Sequence, residues 1–301
     1  DITGVIGAGE PTLAEFNEAV HIEAAGDIRE LSVVSQHIRK DDVSSITAGG
    51  DIAFATGTLS TKFQINGPGR LDVVAGGNVD LGTGTGIVTR GNVDNFYLPE
   101  GGADISVLAG ATSPDYAGFL DYAGDKAGFT AALTAFVDKH AEYREGPRET
   151  DAGLAQAQDK AALRAMPDAL STPFLRGQFF SLLRGYGREA LAGGGEPSYA
   201  KGREAVAAMF PSGSYGKGNI ELFYSQIKTE QGGDIELLAP GGGITVGVAN
   251  PNQNLIKNKK ASEQGLFTVR GGDILAYLRD DFLVNQSRVF TLDGGDILVW
   301  A

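Results

Sequence analysis

One short phrase, Gly-Gly-Asp-Ile or a near variant, returns through the chain and constrains its fold more than any other feature. It stands at Ala25-Gly26-Asp27-Ile28, Gly49-Gly50-Asp51-Ile52, Gly76-Gly77-Asn78-Val79 and Gly102-Ala103-Asp104-Ile105. It returns at Gly232-Gly233-Asp234-Ile235, Gly271-Gly272-Asp273-Ile274 and Gly294-Gly295-Asp296-Ile297, and Asp1-Ile2 reads as a further copy. From Asp1 the acidic or amide position recurs after 26, 24, 27 and 26 residues, and from Asp273 to Asp296 after 23. The 39-residue step from Asp234 to Asp273 contains a polar excursion over 249–265, whose removal restores the period.

Each copy has a physical reading. Glycines suit sharp turns, positive φ and close backbone approach. The Asp or Asn is expected to bond amides two residues on and fix the turn, which makes Asp27, Asp51, Asn78, Asp104, Asp234, Asp273 and Asp296 structural turn residues. A strand follows with alternating apolar positions, as in Ile52 and Phe54, Ile105 and Val107, or Ile235 and Leu237. Second strands are expected at Leu71 to Val74, Ile244 to Val248 and Arg288 to Leu292. A unit of about 25 residues with short strands is one coil of a solenoid, which closes its core only by stacking on the next at about 4.8 Å. Spaced leucines of a leucine-rich repeat are absent, and a propeller blade needs about 40 residues. The fold class read from this pattern is an all-β solenoid, a right-handed parallel β-helix of about eight coils.

From Ser113 to Pro211 the texture changes to alanine-rich helix. Residues 1–112 and 212–301 are therefore expected to form one continuous solenoid, with 113–211 as an α-helical insert. Four helices are predicted. The first carries Phe129, Leu133, Phe136, Val137 and His140, with Asp125 as N-cap. The second runs from Thr150 or Asp151 to Met166 before Pro167. The third starts at Ser171-Thr172-Pro173 and ends at Gly193-Gly194-Gly195, and the fourth covers Tyr199 to Phe210. Phe179, Phe180, Tyr186 and Tyr199 make the insert a candidate docking module, against the plainer reading that it packs on the shaft.

Composition narrows the function. A net charge of −13 argues against nucleic acid, which needs clustered Lys and Arg. The one basic knot, Lys257, Lys259 and Lys260, falls in a loop. There is no cysteine, hence no disulfide, thiolate metal site or cysteine nucleophile. No apolar run is long enough to span a membrane. Asp1-Ile2-Thr3-Gly4 lacks an initiator Met and a signal peptide, so a fragment or mature product is expected.

The stretch after Tyr215 reads Gly216-Lys217-Gly218-Asn219-Ile220-Glu221-Leu222, then Gly232-Gly233-Asp234-Ile235-Glu236-Leu237-Leu238-Ala239-Pro240. It closes with Val284-Asn285-Gln286-Ser287-Arg288-Val289-Phe290 and Gly294-Gly295-Asp296-Ile297-Leu298-Val299-Trp300. These phrases resemble the C-terminal-region domain of bacterial filamentous haemagglutinin-family proteins. The helical stretch from Pro114-Asp115-Tyr116 through Tyr199-Ala200-Lys201-Gly202 is similar to the segment before those motifs, so the resemblance covers residues 113 to 301. It implies export by two-partner secretion, with an outer-membrane secretion partner, and an extended shaft at a Gram-negative cell surface. On that reading the chain is a structural or adhesive segment of a large secreted surface protein, without catalysis or cofactor. Its partners are neighbouring coils of the same chain or stacked copies, because open solenoid ends need covering, and a cell-surface glycan or protein receptor. The alternatives are a carbohydrate-active β-helix enzyme, either polysaccharide lyase or glycoside hydrolase, and the stem of a contact-dependent toxin delivery protein.

Other chemistry is thinly supplied. Val5-Ile6-Gly7-Ala8-Gly9 begins like a dinucleotide loop but lacks the third glycine and the acidic strand. Gly82-Thr83-Gly84-Thr85-Gly86 and Gly213 to Gly218 read as turns. His21, His37 and His140 lack zinc spacing, and no Gly-x-Ser-x-Gly elbow occurs. The stacked aspartates invite calcium, but one carboxylate per coil supplies few oxygen ligands, so turn capping is favoured. A carbohydrate-active site needs converging carboxylates or basic groups. Asp280-Asp281 with Arg279 or Arg288 is the nearest approach, and a groove lined by three or more charged side chains from successive coils would mark such an enzyme.

Overall fold

The structure, a computed structural model, describes residues 1–4, 12–93, 95, 97–252, 254 and 259–301. The dinucleotide-like phrase at 5–9 and Lys257 lie outside them. Two compact units emerge, residues 1–113 with 213–301, and residues 114–212.

In the first unit the described strands form three parallel sheets of seven, and the chain visits them in the same order each time. Coil 1 comprises Ile2–Thr3, Thr12–Phe16 and His21–Ala24; coil 2 Ile28–Arg29, Leu31–Gln36 and Val43–Ala48. Coil 3 comprises Ile52–Ala53, Lys62–Asn66 and Gly69–Ala75; coil 4 Val79–Asp80, Gly86–Thr89 and Ala103–Ala109. Coil 5 comprises Ile220–Leu222, Gln226–Thr229 and Ile235–Ala239; coil 6 Ile244–Val246, Gly265–Thr268 and Ile274–Leu278. Coil 7 comprises Phe282–Val284, Val289–Thr291 and Ile297–Trp300. The arrangement is β-helix-like, and the helical segment enters between coils 4 and 5.

Alternation puts one apolar residue from each coil above its counterpart in the next. Ile2, Ile28, Ile52, Val79, Ile220, Ile244 and Phe282 form one such column in the first sheet. In the second, Val33, Phe63, Ile87, Ile227, Leu266 and Val289 stack in register. In the third, Leu71, Ile105, Ile235, Ile274 and Ile297 do so. Apart from Ile297, these side chains make or pack against one continuous core. Its columns stay open at coil 7, where Ile297 is 47% exposed although Ile235 and Ile274 above it are fully buried.

Two expectations need correction. Seven coils are present among the described residues, not eight, because coil 4 contains both Asn78 and Asp104. The Gly-Gly-Asp copies occupy two different corners. Those at Asp27, Asp51 and Asn78 lead into the first sheet, whereas those at Asp104, Asp234, Asp273 and Asp296 lead into the third. The connection over 90–102 is long enough to restore a 26-residue step between Asn78 and Asp104, and that step hides the change of corner.

The glycines answer to different demands at the two corners. A Cβ on Gly76 would collide with the carbonyl oxygen of Gly49 in the coil before, so close approach governs there. Gly272 has φ 104° and also faces the carbonyl of Gly233, so only glycine satisfies both conditions.

The second unit has five helices: α1 (Tyr116–Ala123), α2 (Ala127–Lys139), α3 (Ala152–Ala165), α4 (Asp168–Glu189) and α5 (Gly195–Met209). Asp151 caps α3 by accepting from the amides of Gly153 and Leu154 at 2.9 and 3.0 Å, as the sequence indicates. Asp125 does not cap α2, which begins after Lys126. The helix expected from Ser171 starts earlier, at Asp168, and holds Pro173 inside it. The hydroxyls of Ser171 and Thr172 turn back to the carbonyls of Pro167 and Asp168, which satisfies both groups within the helix. The Gly193–Gly195 stop is a tight π-type turn, with Gly193 at φ 113°, that leads directly into α5.

Candidate functional site

The turn residues do more than fix their own turns. Each side-chain oxygen accepts the backbone N–H of the corresponding residue one coil further on. At the first corner Asp1 accepts from Asp27 at 2.8 Å, Asp27 from Asp51 at 2.8 Å, and Asp51 from Asn78 at 2.7 Å. Asn78 accepts from Asn219 at 3.0 Å, across the insert, and Asn219 from Gly243 at 3.0 Å. At the second corner Asp104 accepts from Asp234 at 2.8 Å, Asp234 from Asp273 at 2.7 Å, and Asp273 from Asp296 at 2.7 Å. Together these bonds form an intercoil ladder, whereas the bond expected from the sequence lies within one turn.

A second ladder escaped the sequence reading. Thr229, Thr268 and Thr291 each donate a hydroxyl to the carbonyl of Gly233, Gly272 and Gly295, four residues ahead, at 2.9, 2.8 and 3.1 Å. The signal was available, since a Thr stands five residues before each of these three aspartates. Among the described residues no group of three or more His, Asp or Glu is placed to hold a metal ion.

Beside the second corner lies a buried charge cluster. Arg70 bonds Asp72 at 2.7 Å and Glu236 at 2.5 Å. Burial works against its charge, but Glu236 and Asp72 outweigh that and raise its pKa. Burial pushes the Asp104 carboxyl up to about 6 despite the Asp234 amide and Arg70, and raises Asp234 as well.

Three successive coils build a cleft of about 710 Å³, lined by Asn92, Val93, Glu100, Gly101, Gln231 and Arg270. The Asn92 amide is engaged on both sides, accepting from Gln36 at 2.6 Å and donating to the Pro99 carbonyl at 2.7 Å. Arg270 donates to Gln231 Oε1 at 2.6 Å. Its backbone lies at φ 60°, a region that arginine enters only at a cost. The loop that carries one wall exposes Val93 and Tyr97. A smaller cleft, of about 380 Å³, is lined by Tyr215, Gly216, Lys217, Gly241, Arg279 and Asp280. Asp281 and Arg288 do not join it.

The remaining residues singled out in the sequence fall elsewhere. Phe179 and Phe180 are buried, with Phe179 packed edge-on against Phe119 and Phe210, so neither offers a docking contact. The helical spacing that exposed them to notice also places them in the unit's core. Tyr186 is half-buried and hydrogen-bonds Tyr122, whose phenol is raised by burial and by that contact. Tyr199 is exposed.

His21 bonds Ser45 at 2.8 Å on the surface, and His140 lies 4.8 Å from the Phe136 ring. His37 is fully buried between the Pro68 carbonyl and Ser44 Oγ, each 2.7 Å away, and burial lowers its pKa. Lys259 Nζ donates to the carbonyls of Gly84 and Tyr224, and desolvation lowers its pKa to about 8.

Comparison with protein-family models, with curated proteins and with solved structures finds no match to this chain.

Proposed function

We propose that the chain is a non-enzymatic structural and adhesive segment of a secreted bacterial surface protein, a right-handed β-helical shaft of the filamentous haemagglutinin kind. The observation that carries this reading is the unbroken stacking of core columns through seven coils, tied together by side-chain ladders at two corners. The motifs after Tyr215 support kinship with that family, and export by two-partner secretion follows from the kinship.

The enzymatic alternative finds less support. Glycoside hydrolysis uses a carboxylate pair, whereas among the described residues each of these two clefts brings one, Glu100 in the first and Asp280 in the second. The first has two charged side chains, Glu100 from coil 4 and Arg270 from coil 6, fewer than the three from successive coils that would mark such an enzyme. No described helix is long and apolar enough to cross a membrane.

Electron microscopy of the protein in its native setting tests the proposal. Rod-like shafts or filaments at the cell surface or in secreted material are expected. A dispersed monomer with both ends capped, together with cleavage of a polysaccharide, would sink it.

A further inference from the structure

We propose that the cleft formed by Asn92, Val93, Glu100, Gly101, Gln231 and Arg270 is a binding site for a short stretch of neutral oligosaccharide. This rests on the adhesive reading above and names where adhesion occurs and to what.

Arg270 lines the cleft and is its one cation among the described residues. At the equivalent place in coil 7 stands Asp293, also at positive φ and followed by two glycines, so the backbone conformation belongs to the corner. What is particular to coil 6 is a long cationic side chain at that position, bonded to a second lining residue, Gln231.

The polar groups are tied to one another. Gly91 leaves room for the Gln231 stem, which any Cβ at that position would strike. Gln231 Oε1 in turn receives Arg270 Nη1 at 2.6 Å. The Gln231 amide NH₂ and the remaining guanidinium N–H groups are left as donors. Glu100 supplies an acceptor and has no ion-pair partner among the described residues.

Donors and acceptors side by side match vicinal hydroxyls, each of which donates and accepts at once. Among the described lining residues one cation balances one anion, which suits a neutral ligand better than an acidic one. The cleft's volume of about 710 Å³ is ample for a short oligosaccharide. Val93, exposed on the wall, offers an apolar contact for a ring face.

Saturation-transfer NMR and calorimetry of the whole chain with malto-, cello-, chito- and mannotetraose test the assignment. At least one should bind with roughly millimolar affinity. Arg270→Gly should weaken that binding about tenfold or more while the melting temperature holds or rises by about two degrees, because the strain is relieved. Glu100→Gln, at an exposed position with no ion-pair partner among the described residues, should weaken binding with no change in melting temperature. If no tetrasaccharide binds, the ligand class is wrong. Binding that persists unchanged in both variants places the sugar elsewhere and overturns this site, while leaving the adhesive reading intact. Attachment of the purified chain to glycan-coated surfaces separates the two: absence of attachment by the wild type removes both.

Discussion

Replacing Asp104 by Asn is expected to stabilise the protein at neutral pH and to leave it unchanged in acid. Asp104 Oδ1 accepts the Asp234 amide at 2.8 Å, and an asparagine oxygen can do the same. What disappears is a charge that the site disfavours. Burial raises the carboxyl from an ordinary 3.8 to about 6, with the nearby carboxylates of Asp234 and Glu236 adding to the rise.

A folded pKa above the unfolded one contributes stability that is complete below 3.8 and is lost as pH climbs through about 6. At pH 7 the native state therefore carries a penalty. Two units correspond to a ceiling of about 3 kcal/mol. Attraction to Arg70, and the stronger bond a carboxylate makes to the Asp234 amide, are lost in the variant. The net gain should be about 1 kcal/mol, since Arg70 keeps Asp72 and Glu236. Urea denaturation of both proteins at pH 7 and pH 4 measures the difference, with the other titrating groups cancelling between them. A midpoint that falls at pH 7, or a difference independent of pH, would refute the reasoning and make the Asp104–Arg70 attraction the larger effect.

Two further predictions concern the ladder and the core. Asp51→Ala strips the Asn78 amide of its acceptor and should cost about 1–2 kcal/mol in urea titration. Asp51→Asn should cost little, because Asn78 and Asn219 already serve at that corner. Equal losses in the two variants, or a melting temperature that rises with millimolar calcium, would point to an ion held by the carboxylates instead. Ser44→Ala removes the partner of both His37 Nε2 and the Val20 amide, and should lower stability by about 2 kcal/mol at pH 7.5. Retention of wild-type stability would show that the buried imidazole needs no such partner.

The period and the alternation were legible in the sequence because each coil repeats one steric problem, a turn under a neighbouring backbone followed by a strand with a single inward face. The change of corner was harder to see, because Gly-Gly-Asp serves equally at either one. The distinguishing residues are nonetheless present. An Ala stands three places before Asp27, Asp51 and Asn78, and a Thr five places before Asp234, Asp273 and Asp296.

Helix α1 was missed because its eight residues make barely two turns, too few for the apolar face of Phe119, Leu120 and Ala123 to stand out as a period. The early start of α4 was missed because Pro173 reads as a first-turn residue, and only the hydroxyls before it show how the interior position is tolerated. The cleft could not be read at all. Asn92, Glu100, Gln231 and Arg270 are far apart in the chain and meet only because coils 4, 5 and 6 stack.

The bond from Asn78 to Asn219 has a kinetic consequence. Most neighbouring rungs join residues 23 to 39 apart, but this one joins residues 141 apart, and its counterpart at the second corner, Asp104 to Asp234, residues 130 apart. For a flexible chain the longer loop would add about 1.5 kcal/mol to the entropy of closure, making addition of coil 5 the slow event in a folding process that otherwise advances by local steps. The helical unit shortens that path. Its first helix is tied to the end of its last, with the Asp115 amide donating to the Met209 carbonyl at 2.8 Å. Where the coil resumes, the Gly216 amide meets the Gly110 carbonyl at 2.7 Å. Once the five helices have formed, the ends of the segment are already side by side, and the distance the growing solenoid must bridge is a few residues instead of a hundred. An insertion closed on itself in this way lets coils 1–4 template coil 5 almost as though the intervening chain were absent.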